Sequence, residues 1–437
     1  MVDLSNDHTT RRKTVKTIAF QENIPVRETR YDVIVAGGGV AGIAAALTAR
    51  RAGKSVLLIE KSTMLGGLAT LGLINLFVPM CNGRGKQIIF GLAEEFLRFS
   101  VKYGWAVIPE EWRNGEPAEP TNVRYIARFS PHIFAISILD LLTDSGVEIL
   151  FDTIVSAPVM DGKHCRGLIL EGKSGREFAE GKIIIDVTGD ADILRRAGVP
   201  TVTRGNFFTY CCKGITLESC KKAVESRNIA DAITGFSGGG ANLYGGGHPE
   251  GMPLWDGTST SQVSGFLIRN QKELFRKLKD QPKDSREIVT LPGMAQFRTT
   301  CRIDGDCTLK EEDHYKHFDD SIGAICDFER RDFLYEMPYR ILIRSGYDNL
   351  ITAGRSASGD GYAWDVLRVI PPAIISGQAA GNAAVLAVDS GKGIDAIDVS
   401  ALQQRQQSQN VMIHFDDALI PSGNGNSGEH CNDYGHI

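Results

Sequence analysis

The chain has 437 residues, 42% of them hydrophobic and 23% charged, with a formal net charge of -5. That apolar share excludes disorder over most of the length, and the length suits two or three domains. A pI near 6.0 speaks against a nucleic-acid-binding surface, which needs a net basic face.

Residues 1–29 are polar and without hydrophobic period, so they are expected to form a leader on the surface. Arg11, Arg12 and Lys13 are followed by a segment too polar to serve as a secretory signal. Tyr31 to Ala36 is a short β-branched apolar run of the kind buried in parallel sheets. A glycine cluster breaks it, and Ala41 to Ala52 predicts a helix closed by Gly53. Ser55 to Glu60 predicts a second buried strand, which completes a βαβ unit. The apolar run 33–49 holds four glycines within six positions, so it reads as strand, turn and helix and not as a membrane span.

Further along, Gly91 to Val101 predicts an amphipathic helix, and Pro131 to Ser145 a second one leading into a strand at Val147 to Phe151. Alternation around Val155, Leu168 and Phe178 predicts an antiparallel meander. Lys182 to Val187 is another buried strand running into Thr188-Gly189-Asp190. Residues 206–335 are the least regular, and 238–247 carry six glycines in ten positions. Strand signals return at Arg340 to Ile343 and Asn349 to Thr352. A helix of small residues then runs from Pro371 to about Asp389. Nine cysteines, none in a C-x-x-C pair, exclude a zinc ribbon or a thioredoxin-type redox pair. Scattered thiols suit a reducing compartment, so a cytoplasmic location is expected.

The chemistry concentrates at Gly37-x-Gly39-x-x-Gly42, between a strand and a helix, with Glu60 closing the next strand. In such a fingerprint the first glycine makes the tight turn and the second lets a pyrophosphate approach the backbone. The third lets helix and strand pack closely, and the acid accepts from a ribose. The helix N-terminus at Val40 and Ala41 offers free N–H groups to an anion. The fingerprint alone does not separate NAD from FAD. Three later blocks do: Met64-Leu65-Gly66-Gly67-Leu68-Ala69-Thr70, Ile183 to Asp190, and Asn349 to Arg355 followed by Arg368 and Gly377-Gln378-Ala379-Ala380-Gly381.

In this order the blocks resemble the FAD-dependent oxidoreductases with a glutathione-reductase-type nucleotide fold. The likeness is closest to a large bacterial family of that description, itself distantly related to the fumarate reductase and succinate dehydrogenase flavoproteins. The resemblance covers about 31–80, 130–198 and 297–388. It implies an α/β chain in which a Rossmann-type FAD-binding domain (30–80, 130–205 and 336–420) carries an inserted α+β substrate or cap domain. The cap would be drawn from 81–129 and 206–335, and 421–437 would be a tail. It also implies that Gly37, Gly39, Val40, Ala41 and Gly42 hold the diphosphate and that Glu60 and Lys61 meet the adenosine. Gly67, Leu68 and Ala69 would line the flavin side, and Val155 would meet adenine through its backbone. Thr188, Gly189 and Asp190 would close over ribose and diphosphate. Gly354 and Arg355 fall where relatives carry Gly-Asp or Gly-Glu for the ribityl chain, so the arginine would turn to the diphosphate. Pro372 and Ala373 open a helix whose positive end, with Arg368 beside it, would stabilise the reduced ring. Arg298 and Arg302, flanking a departure from the family block, are candidates for substrate or flavin contact, with a structural ion pair as the alternative.

The segment after Gly67 has no histidine up to Arg128, so the FAD is expected to be noncovalent. His248 is a candidate acid or base, or a plain loop residue. No metal site is expected. The resemblance implies hydride transfer with a small polar substrate, anionic or sugar-like. A flavin-binding electron-transfer subunit is the alternative, and a tRNA-modifying flavoprotein a weaker one. The partners would be a small molecule and either a second copy or an electron-transfer protein, with neither nucleic acid nor membrane.

Overall fold

The computed structural model describes residues 18–421; the rest of the expected leader and tail lies outside them. Five strands form a parallel sheet in the order Glu148–Leu150, Val56–Ile59, Tyr31–Ala36, Gly175–Asp186, Leu350–Thr352. Their near-continuous apolar runs are what a sheet buried on both faces requires: Val33, Ile34, Val35, Ile184 and Ile185 are all fully buried.

The strand Gly175–Asp186 serves two sheets. Its last residues lie parallel to Tyr31–Ala36, while its first residues pair antiparallel with His164–Gly172, which in turn pairs with Ile154–Asp161. Part of the expected leader joins this meander: the amides of Arg27 and Phe178 bond the carbonyls of Phe178 and Pro25 at 2.9 and 2.8 Å. The Arg27 guanidinium reaches Glu148 and Glu177.

The dinucleotide helix, Val40–Arg51, and the long helix Ile370–Ser390 pack against each other, and both touch the sheet. Small residues set how closely the two helices approach. A Cβ at Gly377 would overlap the Ala41 carbonyl oxygen, and one at Gly381 would come within 2.6 Å of the Ala45 carbonyl oxygen. The same core continues outward through the helix Gly91–Lys102, the aromatic group Phe77, Phe129 and Phe134, and the hairpin Ser321–Cys326 with Leu334–Pro338. Residues 81–129 and 321–335, grouped with the cap on sequence, therefore share their core with the nucleotide domain.

The part with cores of its own runs from about 208 to 297. A three-stranded sheet ordered Thr234–Gly240, Thr209–Thr216, Arg286–Thr290 is covered by the helix Thr260–Leu278. Ser259 caps that helix by accepting from the Gln262 amide. The strand expected at Arg340 to Ile343 is instead a 3-10 turn, Tyr339–Ile341. Asp320 accepts from the Arg340 amide and from its guanidinium at 3.0–3.1 Å, which bends the chain after Pro338.

No single helix among the described residues is long and apolar enough to cross a membrane. The helices Gly361–Leu367 and Ile370–Ser390 would pass only as a pair bent by 77°, and their side chains are nearly all buried.

The helix contact generates a stability test. Gly377→Val would force a side chain into the Ala41 backbone, and overpacking of this kind costs about 1–3 kcal/mol. The denaturant midpoint should fall accordingly, with the slope of the transition unchanged.

Candidate cofactor and active site

The first strand ends where the Gly37 amide bonds the Ile59 carbonyl at 2.8 Å. Gly37 has φ +117°, and a Cβ there would overlap the Val187 carbonyl, so only glycine can make this turn. Gly39 is the N-cap of the dinucleotide helix and has no capping side chain; nothing lies within 4 Å of where its Cβ would stand. The helix thus presents bare N–H groups to open space, an arrangement suited to a diphosphate. Gly42 faces the other way, since its Cβ would strike the Gly37 carbonyl.

A second glycine pair roofs the first. The Gly66 amide bonds the Gly38 carbonyl at 2.8 Å. Gly67, at φ +55°, brings its Cβ position within 3.1 Å of the Gly39 Cα. The 3-10 turn Gly67–Ala69 follows.

Glu60 is buried at 8% exposure. One carboxylate oxygen accepts from the Gly38 amide at 2.7 Å, and the other accepts from the Ser62 amide and hydroxyl at 2.8 and 2.7 Å. A carboxylate offers about four acceptor positions, so roughly one remains for a ribose hydroxyl.

These residues line one end of a continuous cavity of about 470 Å³. Gly37, Gly39, Val40, Ala41, Glu60, Lys61, Gly67, Leu68, Ala69, Val155, Thr188, Gly189, Gly354, Arg355, Ala373, Arg298 and Arg368 all reach it. Val155 does so with its carbonyl already accepting from Arg196 at 2.7 Å.

Arg355 points at protein, not at open space. Its Nε bonds the Gly189 carbonyl, its Nη1 the Phe297 carbonyl and its Nη2 the Asp190 carboxylate, at 2.6–2.7 Å. It therefore holds the 188–190 turn against the cap junction. Asp190 sits behind the wall, shared between Arg355 and the Thr300 hydroxyl. Pro372, buried in the first turn of its helix, and Gly42 also lie behind the wall.

Arg302 does not reach the cavity, contrary to its candidacy as a substrate or flavin contact. It is 5% exposed, donates to the Ile303 carbonyl and the Ser358 hydroxyl, and lies 5.6 Å from the Trp364 ring centroid. His248 is likewise occupied, with Nδ1 accepting from the Phe208 amide and Nε2 facing the Met252 carbonyl, each at 3.0 Å.

Lys61, Arg196, Arg298, Arg355 and Arg368 bring positive charge to the wall, and Arg298 and Arg368 lie close to each other at the far end. Arg298 donates to the carbonyls of Ala241 and Asn242, and among the described residues no carboxylate pairs with it. Burial, then repulsion from Arg368, pulls its pKa down to about 10. Arg368 bonds Asp365 at 2.8 Å, and the other Asp365 oxygen is taken by Arg204 at 3.1 Å.

Two residues without a sequence signal complete the site. Asp365 is one. Asp186, fully buried, is the other: it accepts from the Thr188 amide and hydroxyl and from the amides of Ile193 and Leu194 at 2.7–3.1 Å. Burial outweighs these donors and pushes its pKa up to about 6.

The sign of the resulting pH dependence follows. With its folded pKa above the ordinary carboxylate value, Asp186 is more protonated in the folded state between about pH 4 and pH 6, so its contribution to stability falls as pH rises through that window. Two pH units correspond to about 3 kcal/mol. The stability difference between the wild type and Asp186→Asn, measured by denaturant unfolding, should shift against the wild type by that order between pH 4 and pH 7.

The family model described as FAD dependent oxidoreductase matches residues 32–207 and 255–406, leaving out a stretch inside the inserted unit. A digeranylgeranylglycerophospholipid reductase of Methanoculleus marisnigri is 27% identical over 187 residues, 39% of this chain and 42% of that protein. A 4-oxocyclohexanecarboxylate 2-dehydrogenase of Sinomonas cyclohexanicum is 51% identical over 41 residues, 9% of this chain and 7% of that protein. The alignments span less than half the length of these curated relatives. Among solved structures, a geranylgeranyl bacteriochlorophyll reductase-like protein from Thermoplasma acidophilum has 14% identity and a TM-score of 0.43, covering 87% of this chain and 82% of that one. The bare helix N-terminus at Gly39, the glycine roof over it and the spare acceptor on Glu60 fit the diphosphate and ribose of FAD. The chain belongs to the FAD-dependent oxidoreductase family.

Proposed function

We propose that this chain exchanges a hydride between noncovalent FAD and a small polar substrate that carries a negative charge. FAD, when bound, supplies the two-electron chemistry; the chain supplies the binding, the orientation and the field. The carrying observation is the charge count at the far end of the cavity. Arg204 and Arg368 both bond Asp365, Arg298 lies near Asp365 and Glu329 without bonding either, and Arg298 and Arg368 both face the open volume. Buried positive charge without a full set of partners is costly. An anionic group on the substrate, or negative charge developing during reduction, relieves it.

Of the substrates printed in the names of two relatives, the carboxylate agrees with this reading, whereas the phospholipid shares the negative charge but is not a small polar molecule. Kinship with the fumarate reductase flavoproteins belongs to the same proposal, through the position of Arg368 before Pro371. The rival is an electron-transfer subunit that takes electrons from a protein partner.

Anaerobic bleaching of the yellow flavin band separates these. A panel of carboxylic acids and phosphates, each beside its neutral ester or amide, should contain an acid that reduces the flavin while its neutral analogue does not. Bleaching by neutral compounds alone, or only by a reduced protein, would sink the proposal.

In the responsive pair, Arg368→Ala should keep FAD and raise KM for the acid at least tenfold, since hydrogen bonds to charged groups are worth about 1.5–3 kcal/mol. An unaltered KM would leave Arg368 a structural partner of Asp365 only.

At the opposite end, Glu60→Ala should weaken FAD binding by at least about tenfold on the same energy scale, read by recovery of free-flavin fluorescence on dilution. Thermal stability should fall with it, because Glu60 also holds Gly38 and Ser62.

A further inference from the structure

Away from the cavity, three segments meet at the outer edge of the hairpin formed by Ser321–Cys326 and Leu334–Pro338. Glu336, on the second strand, has no exposed side-chain area. The chain after the last helix runs alongside: the Ala324 amide bonds the Met412 carbonyl at 2.7 Å, and the Ser321 hydroxyl bonds the Ile413 carbonyl at 2.6 Å. This places His414 Nδ1 at 2.9 Å from one Glu336 oxygen. From the loop before the hairpin, His317 Nδ1 lies 2.5 Å from the other. One ligand atom from each residue lies within 4.8 Å of the other two.

We propose that His317, Glu336 and His414 bind one divalent transition-metal ion of the zinc type, which staples the C-terminal segment to the hairpin. The donor set, two imidazole nitrogens and a carboxylate oxygen, is one that zinc accepts, with water completing a tetrahedron. Both rings are about half exposed, 41% and 45% by side chain, so the ion and its water have access from solvent while the carboxylate stays dry.

The orientation of His317 points the same way. Its Nε2 faces the Asp417 carboxylate at 2.8 Å, the outer-sphere bond that commonly orients a ligating histidine and fixes its tautomer. In the metal-free chain a proton on Nδ1 bridges this short contact to Glu336. With Nε2 donating to Asp417, loss of that proton turns the Nδ1 lone pair to the same place, where an ion about 2 Å from each ligand would spread the two atoms apart. The ring is steadied by Phe415, 4.5 Å between centroids.

Charge closes the account. Glu336 and Asp417 bring two negative charges to two imidazoles that are neutral when they ligate. Among the described residues the one backbone donor on the Glu336 carboxylate is the Phe318 amide at 2.8 Å. The remaining negative charge is offset by protons on the imidazoles in the free chain, or by a divalent ion that displaces them.

The test uses the full FAD-loaded chain, stripped with EDTA and titrated with zinc chloride by calorimetry, with thermal melts alongside. His8, His430, Cys431 and His436 are replaced in the reference chain, so that only histidines and cysteines within the described residues report. One zinc per chain should bind with a micromolar or tighter Kd and raise the melting temperature. His317→Ala and His414→Ala should each weaken it at least tenfold, and Asp417→Asn should weaken it less. His164→Ala, at a separate exposed His–Asp pair, should leave it unchanged. Both histidine variants change half-exposed side chains, and their own melts report whether they fold. Absence of saturable binding in the reference chain overturns the proposal, as does an affinity in His317→Ala or His414→Ala equal to that of the reference chain.

Discussion

The whole arrangement depends on backbone being allowed to touch backbone. At Gly37, Gly42 and Gly377 a single methyl group would overlap a carbonyl oxygen of a neighbouring element. Those three absences let the strand, the dinucleotide helix and the long C-terminal helix pack closely on one another. Only then does the N-terminus of Val40–Arg51 stand at the sheet edge with its amides uncovered. The hydrophobic effect supplies the cohesion of this stack, but it would accept many spacings. The glycines select one, and that spacing places the anion site.

Electrostatics then gives the cavity a direction. One end holds a carboxylate, Glu60, kept in place by two backbone amides and a hydroxyl. The other end holds Arg298 and Arg368, whose shared partner Asp365 is also claimed by Arg204. Lys61 and Arg196 also line the cavity, so the contrast is between a fixed carboxylate acceptor and a close arginine pair rather than between a negative and a positive end. Between the ends, Arg355 and Asp186 hold the turn Thr188–Asp190 from opposite sides. The turn is therefore a rigid wall, and the arginine that stands in place of an acidic residue serves the protein before it serves any ligand.

How much of this was legible in the sequence follows the range of the interaction involved. The βαβ unit, the meander and the long small-residue helix are read from local patterns, because each pattern is the cause of its element. Gly37 and Gly39 announce themselves since a turn and a bare helix end leave no alternative. Arg302 misled because sequence spacing does not say which way a strand residue faces. In Cys301–Ile303 it turns inward to Trp364 and Ser358, whereas Arg298, before the strand, reaches the cavity. Asp365 and Arg204 are 161 positions apart, and nothing in either local stretch foretells the pair. The helix Thr260–Leu278 did carry a helical period in Val263, Phe266, Asn270 and Leu274, all turned toward the cap interior. It was obscured by the glycine-rich stretch before it, whose irregularity is real but local.

On the proposed function, substrate choice resides where the inserted unit meets the cavity. The walls contributed by the nucleotide domain are mostly backbone and small side chains, and they serve a cofactor common to the family. Leu71, Met294 and Arg298 are different: they line the same volume but sit where the cap joins the sheet domain. That junction is pinned. The Gly293 amide bonds the Leu71 carbonyl, and Gln296 ties the Gly72 carbonyl to both the amide and the carbonyl of Cys211 on the central cap strand. Arg298 is in turn held by the carbonyls of Ala241 and Asn242, inside the stretch the family model does not match. Arg298 is thus oriented by a stretch outside the family match. Under the proposed function, substitutions in 208–254 that move Arg298 would alter the choice of substrate while leaving the glycines and Glu60 at the cofactor end in place.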